Sequence, residues 1–145
     1  MKSYQNLLDE GMKAVEKGDA LTGLLLFEEA SKHQLTPTIQ SCLGYCLAAE
    51  KGKIREGIEL CQQAKRKEPE RSLHYLNLGR IYMLAGQKQF AIKIFRQGMR
   101  MEANRTIMRE LEYLGLRREP VFHRLDRNHP LNRHFGKFMA AIGMR

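Results

Sequence analysis

The chain is sparing with residues that break or cross-link a backbone. It has four prolines and three cysteines in 145 residues. Three thiols cannot all pair, and Cys42, Cys46 and Cys61 sit among apolar neighbours, which argues against a disulfide-stapled secreted scaffold and for reduced, buried thiols. No run approaches 18 apolar residues, so no membrane-spanning helix is expected. The first residues, Met1 to Asn6, carry no apolar core after Lys2, so a secretory signal is not expected either. These features place the protein in the cytoplasm.

Catalytic signatures are missing as well. There is no phosphate-binding loop, no dinucleotide fingerprint and no nucleophile elbow. Asp9 and Glu10 are adjacent on one helix and point apart. Glu28 and Glu29, and Glu110 and Glu112, read as solvated carboxylates, so no acid and base face each other across a cleft. The expectation is a non-enzyme with no cofactor and no metal. Cys42 and Cys46 lie one helical turn apart, and convergence with Cys61 on a metal or redox centre is one reading of them. No fourth ligand accompanies them, which favours three small buried hydrophobes. His123, His129 and His134 cluster near the C-terminus, but Pro130 interrupts them and no His-Glu-x-x-His spacing occurs. They read as surface or partner-facing histidines.

What the chain does have is apolar residues, 43% of the total, enough to bury a core without a metal. It also has a formal net charge of +9, which favours acidic partners without choosing among them. That charge is uneven. From Tyr113 to Arg145 there are seven Lys/Arg against two Asp/Glu, a net of +5.

The apolar residues recur at three- and four-residue spacings, the mark of amphipathic helices. Helices are expected over about 4–17 (Leu7, Leu8, Gly11, Met12, Val15) and 20–33 (Leu21, Leu24, Leu25, Phe27, Ala30). Two more follow, over 38–50 (Cys42, Leu43, Tyr45, Cys46, Leu47) and 54–67 (Ile54, Ile58, Leu60, Cys61, Ala64). The next pair covers 72–84 (Tyr75, Leu76, Leu78, Gly79, Tyr82, Met83) and 88–101 (Phe90, Ala91, Ile94, Phe95, Gly98, Met99). Pro37 and Pro69 mark segment ends. A seventh helix, 105–114, carries Ile107, Met108, Leu111 and Leu114, and Gly115 ends it.

A longer period overlies the short one. Gly18, Gly52 and Gly86 are 34 residues apart, as are Gly23, Gly57 and Ala91, then Phe27, Cys61 and Phe95, then Ala30, Ala64 and Gly98. A fixed period of this length signals stacked helix-turn-helix units. The turn glycines allow a tight reversal. Small residues at the other positions let paired helices approach. Cys61 stands where phenylalanine fills the outer units and is expected to underfill the middle one. The first helix of that unit is one residue longer between Gly44 and Gly52 than the third unit's is between Gly79 and Gly86.

The third unit, with Tyr75, Leu78-Gly79, Tyr82, Gly86, Ala91 and Phe95, resembles the tetratricopeptide repeat family. Gly98 and Ala103 depart from that family's usual alanine and proline. The first unit keeps Gly11, Ala14, Gly18, Phe27 and Ala30, and the middle unit keeps Leu43-Gly44, Gly52, Ala64 and Pro69. The stretch from Leu114-Gly115-Leu116-Arg117-Arg118 through Leu131-Asn132 is similar to tails on small bacterial proteins of this type. The resemblance implies an all-α fold, a right-handed α-solenoid of three helix pairs at about 4–37, 38–71 and 72–104, capped by 105–115. Together these would make a repeat domain over 1–115. Residues 116–145 would be a basic extension packed on or near it.

The resemblance also implies a concave groove lined by the first helix of each pair. It points to Tyr45, Leu73, Leu76, Asn77 and Arg80 as partner-binding residues. Asn77 and Arg80 are three apart and share a face. An asparagine amide can hold a peptide group and an arginine can fork onto a carboxylate. The expected function is therefore a protein-interaction module taking a peptide or protein partner. Two alternatives remain open. In one, the basic residues Arg117, Arg118, Arg124, Arg127, Arg133 and Lys137, with Phe122, Phe135 and Phe138 among them, contact nucleic acid. In the other, the tail fills the chain's own groove.

Overall fold

A computed structural model describes residues 2–115 of the chain. These residues form seven α-helices and no strand: α1 Tyr4–Glu16, α2 Ala20–His33, α3 Pro37–Lys51, α4 Ile54–Lys67, α5 Ser72–Leu84, α6 Lys88–Met101 and α7 Arg105–Tyr113. No helix among them is long and apolar enough to cross a membrane. Each helix packs first on its sequence neighbour, α1 on α2, α3 on α4 and α5 on α6. The pairs then join through α2–α3, α3–α5 and α4–α5, and α7 lies on α6.

The helix ends follow local chemistry. Ser3, Asp19, Thr36 and Asn104 each accept a hydrogen bond from the backbone N–H three residues on, capping α1, α2, α3 and α7. Pro37, a stop signal for α2, is also the first residue of α3, where its missing N–H costs nothing. Gly18, Gly52 and Gly86 have φ of 84°, 65° and 75°, a conformation that disfavours any side chain. After α1 and α5, the residue beyond the glycine donates five residues back, Asp19 to Ala14 at 2.9 Å and Gln87 to Tyr82 at 2.8 Å. In the longer α3 the equivalent bond, Lys53 to Leu47 at 3.3 Å, reaches six back. The extra residue lies in α3 itself, which runs seven residues past Gly44 against five past Gly79 in α5, and the loop to α4 is one residue shorter.

Paired helices come close because small residues face large ones. The Phe27 ring lies against Gly11, where an added Cβ would be 2.6 Å away, and the Phe95 ring lies against Gly79 in the same way. Both rings are fully buried. The middle pair solves the problem differently. A Cβ on Gly57 would lie 2.5 Å from the Gly44 carbonyl oxygen, and one on Gly44 would lie 2.7 Å from that of Gly57. The two backbones touch, and Cys61 is fully buried beside them. The expected underfilled slot is thus narrowed by the approach of α4 to α3.

Three apolar clusters run along the stack. Leu7, Leu24, Phe27 and Ile39 form the first, Tyr75, Leu78, Ile81 and Cys61 the second, and Leu76, Ile92, Phe95, Ile107 and Leu111 the third. In the third cluster α7 supplies Ile107 and Leu111, which cover the outer face of the third pair. Some expected stripe residues lie elsewhere. Leu21 and Leu25 are 52% and 59% exposed on α2, and Phe90 and Met108 are also exposed. Apolar spacing alone over-assigned these positions, because the inward face of each helix is narrower than its apolar arc. Phe90 instead stacks on Tyr82, ring centres 5.7 Å apart.

Hydrogen bonds tie one unit to the next along the loop edge. Tyr4 and Thr36 hydroxyls meet at 2.6 Å, and Arg71 donates to Thr38 Oγ1 at 2.9 Å. Glu102, just past α6, accepts from the Ser72 backbone N–H and hydroxyl at 3.0 and 2.8 Å. Those two bonds hold the Glu102 carboxyl below its ordinary pKa and cap α5, whose own N-cap residue, Arg71, provides no side-chain cap.

Replacing a helical glycine by alanine ordinarily stabilises by about 0.5–1 kcal/mol. Gly57→Ala is expected to do the opposite, costing about 1–3 kcal/mol as backbone is pushed from backbone. Urea unfolding reads this directly, and an unchanged or raised midpoint would contradict the close approach.

Candidate functional site

The first helices of the pairs, α1, α3 and α5, line one groove, closed at its end by the start of α7. Its cavity measures about 120 Å³. Met12, Val15, Phe27, Leu73 and Leu76 give it an apolar floor, and Glu16, Tyr45, Asn77, Arg80, Asn104 and Thr106 add polar groups. All five residues singled out from the sequence, Tyr45, Leu73, Leu76, Asn77 and Arg80, border this one space. Leu73, Asn77, Arg80 and Leu84 follow one stripe of α5, which is why a single helix contributes so much of the wall.

The polar members are more committed than their types suggest. Arg80 Nε meets Glu110 Oε2 of α7 at 3.4 Å, and its guanidinium sits 5.6 Å from the centre of the Tyr45 ring. The carboxylate expected from a ligand is thus supplied in part by the chain itself. Burial raises the Tyr45 hydroxyl pKa, with Arg80 opposing and Glu110 and Glu50 adding to the rise. Asn77 is only 3% exposed. Its Nδ2 donates to Ser41 Oγ at 3.2 Å and weakly to Cys42 Sγ at 3.7 Å. The donor end of its amide is thus engaged inside the fold.

Behind the groove wall lies a buried polar seam that the sequence did not single out. His74 is fully buried, with Nδ1 2.9 Å from Ser41 Oγ and Nε2 2.7 Å from Glu68 Oε1. These partners select a tautomer. Nε2–H donates to the carboxylate, Nδ1 accepts the Ser41 hydroxyl proton, and Ser41 Oγ accepts from Asn77. The order of serine, histidine and carboxylate is that of a hydrolytic relay. Ser41 is fully buried, however, so no substrate can reach its oxygen. The seam works as a fastener between α3, α5 and the loop before α5. Ser41 and His74 are 33 residues apart, as are Thr38 and Arg71. Polar side chains about one period apart on successive first helices were the available signal.

The thiols are buried and unpaired. Burial pushes Cys42 and Cys46 up to about 12, and Cys61 upward as well. Such thiols stay protonated and unreactive. Cys42 Sγ lies 3.5 Å from Met12 Sδ, and Cys61 Sγ 3.5 Å from the Ser41 carbonyl oxygen. Among the described residues no three His, Cys, Asp or Glu side chains are grouped to hold a metal ion. The basic residues Arg117, Arg118, Arg124, Arg127, Arg133 and Lys137, and the histidines at 123, 129 and 134, lie outside the described residues.

No protein-family model matches the chain, and none of the curated proteins matches it. Among solved structures it is similar to the TPR (tetratricopeptide repeat) domain of Sgt2 from Aspergillus fumigatus. That likeness covers 79% of this chain and 83% of that one, with a TM-score of 0.54 and 19% sequence identity. At this identity the likeness concerns fold, and the fold is an all-helical, TPR-like α-solenoid.

Burial lowers the His74 pKa below the ordinary value of 6.5, and the Glu68 hydrogen bond and charge pull it only part of the way back. The unfolded chain therefore takes up this proton more readily than the folded one. The seam's contribution is full above about pH 6.5 and is lost as pH falls through the lowered folded value. An NMR titration of the His74 ring is expected to give a midpoint below 6.5, with unfolding stability falling over the same interval. A midpoint above 6.5 would reverse the sign. Asn77→Ala is expected to cost about 1–2 kcal/mol by thermal unfolding. Asn77→Asp should cost more, because it buries a carboxylate beside a hydroxyl already donating to His74. Equal costs would show that the amide is not part of the seam.

Proposed function

We propose that the chain is a non-catalytic interaction module that holds an extended peptide or protein segment in the groove of α1, α3 and α5. The observation that carries the reading is the convergence of an apolar floor with a few directed polar groups in one concave space. That combination suits a segment anchored by one or two apolar side chains. Leu73 and Leu76 offer the apolar contact, Tyr45 a rigid aromatic wall with a polar tip, and Arg80 the guanidinium nitrogens beyond Nε. Asn77 contributes mainly by holding α5 against α3, so that its neighbours on the stripe keep their places. The likeness in fold supports the same reading, since stacked helix pairs present concave surfaces of this kind. A cytoplasmic setting fits the protonated thiols. The repeat domain over 1–115 is the unit to which this function is assigned.

Selection of a random-peptide library on the full chain tests the proposal. Ligands are expected to emerge, and Leu73→Ala and Arg80→Ala should each weaken them roughly tenfold, about 1.4 kcal/mol. Leu25→Asp, on the exposed side of α2, should leave them unchanged. Circular dichroism confirms that each variant is folded. Ligands indifferent to both groove substitutions but lost with Leu25→Asp would move the binding surface elsewhere.

A further inference from the structure

Among the described residues lining the groove, only Glu16 and Arg80 carry charge. Arg80 is answered by Glu110 at 3.4 Å. Glu50, five residues along α3 from Tyr45, adds a further negative charge felt at the Tyr45 hydroxyl. Arg71 offsets part of this, since its charge, like that of Arg80, reaches the lining Cys42. The Arg80–Glu110 pair leaves Glu16 as the remaining lining charge, which suits a segment carrying a basic residue among apolar side chains.

The groove's apolar character continues toward one end. Leu84 lies on the α5 stripe of Leu73, Asn77 and Arg80 and is exposed. On α7, Thr106 lines the groove and Glu110 pairs with Arg80, and Tyr113 follows on the same face, 87% exposed. Just past Tyr113, Gly115 has a φ of 82°, which stops the helix and redirects the chain. Thirty residues follow, 116–145, with seven Lys/Arg and two Asp/Glu, a net of +5, and three phenylalanines. Thirty residues can reach about 100 Å when extended, while α7 is only about 14 Å long. Length therefore does not limit where they reach, and tethering beside the groove gives them a millimolar-scale effective concentration.

We propose that the chain's own C-terminal segment, residues 116–145, is the resting occupant of the groove. Its Lys and Arg residues answer Glu16 and Glu50, and its phenylalanines supply apolar side chains for the floor. A partner must then displace this segment, so the apparent affinity for any partner is lowered by the fraction of chains in which the groove is filled. The inference rests on the reading of the groove as a binding surface.

The test is photo-cross-linking in the purified full chain, with benzoylphenylalanine at position 45 or, should that variant fail to fold, at position 106. Mass spectrometry then maps the captured residue. Capture within residues 116–145 of the same chain is expected. It should be lost when Arg124, Arg127, Arg133 and Lys137 are changed together to Glu, and in 1 M salt, where the screening length is about 3 Å. A probe at Leu25, on the outside of α2, should not capture this segment. Three results would overturn the proposal: no capture within 116–145, capture of a second copy seen as a cross-linked dimer, or equal capture from position 25. Should library peptides bind the groove while position 45 never captures the segment, only this inference fails. Should the segment be captured while no outside ligand is ever selected, the groove serves the chain itself and the partner reading fails.

Discussion

The structure depends on how near two helix axes can come. At Gly11, Gly44, Gly57 and Gly79 the missing side chain removes the obstacle that normally keeps helices apart. A phenylalanine ring lies against a bare backbone in the outer pairs. In the middle pair two backbones meet directly. This proximity sets where each pair turns its remaining apolar residues, and hence what the next pair must cover. It also brings α3 beside α5, so that Tyr45 and Arg80 face the same space. The groove is a consequence of those crossings.

Much of this was legible because it is periodic. The 34-residue recurrence of Gly18, Gly52 and Gly86 located the turns, and the left-handed backbone at each is the physical reason. The residues nominated for the groove were legible through the same register, since a helix stripe is a matter of counting. What the sequence hid was occupancy. Asn77 is of a type that binds peptides, but it lies one period from Ser41 and spends its donor there. Arg80 looked available, but α7 brings Glu110 to it from 30 residues away. Leu21 and Leu25 looked like core because an apolar arc does not say how much of itself is covered. For Asn77 and Arg80 the neighbour in space lies 30 or more residues away in sequence, beyond the reach of local spacing.

The seam of Ser41, His74, Glu68 and Asn77 shows how little residue identity says about chemistry without access. The same three groups near solvent would invite a hydrolytic reading. With Ser41 and His74 buried and Glu68 half-buried, they satisfy one another. Their value lies in specificity of packing. An apolar contact between α3 and α5 tolerates sliding by a fraction of a turn, whereas a chain of hydrogen bonds does not. The seam sits directly behind Cys42 and Asn77, which border the groove. It therefore fixes the alignment of the wall that a ligand would meet.

The bonds between successive units differ from junction to junction. A phenol meets a threonine at the first, an arginine meets a threonine at the second, and a carboxylate and an amide share Ser72 at the third. Uniform glue would let units be shuffled, duplicated or lost with the stack still closing. Here the first and third pairs are not exchangeable, because Thr36 would forfeit its phenol and Ser72 its carboxylate. The array has a built-in order, read from one end to the other like numbered bricks.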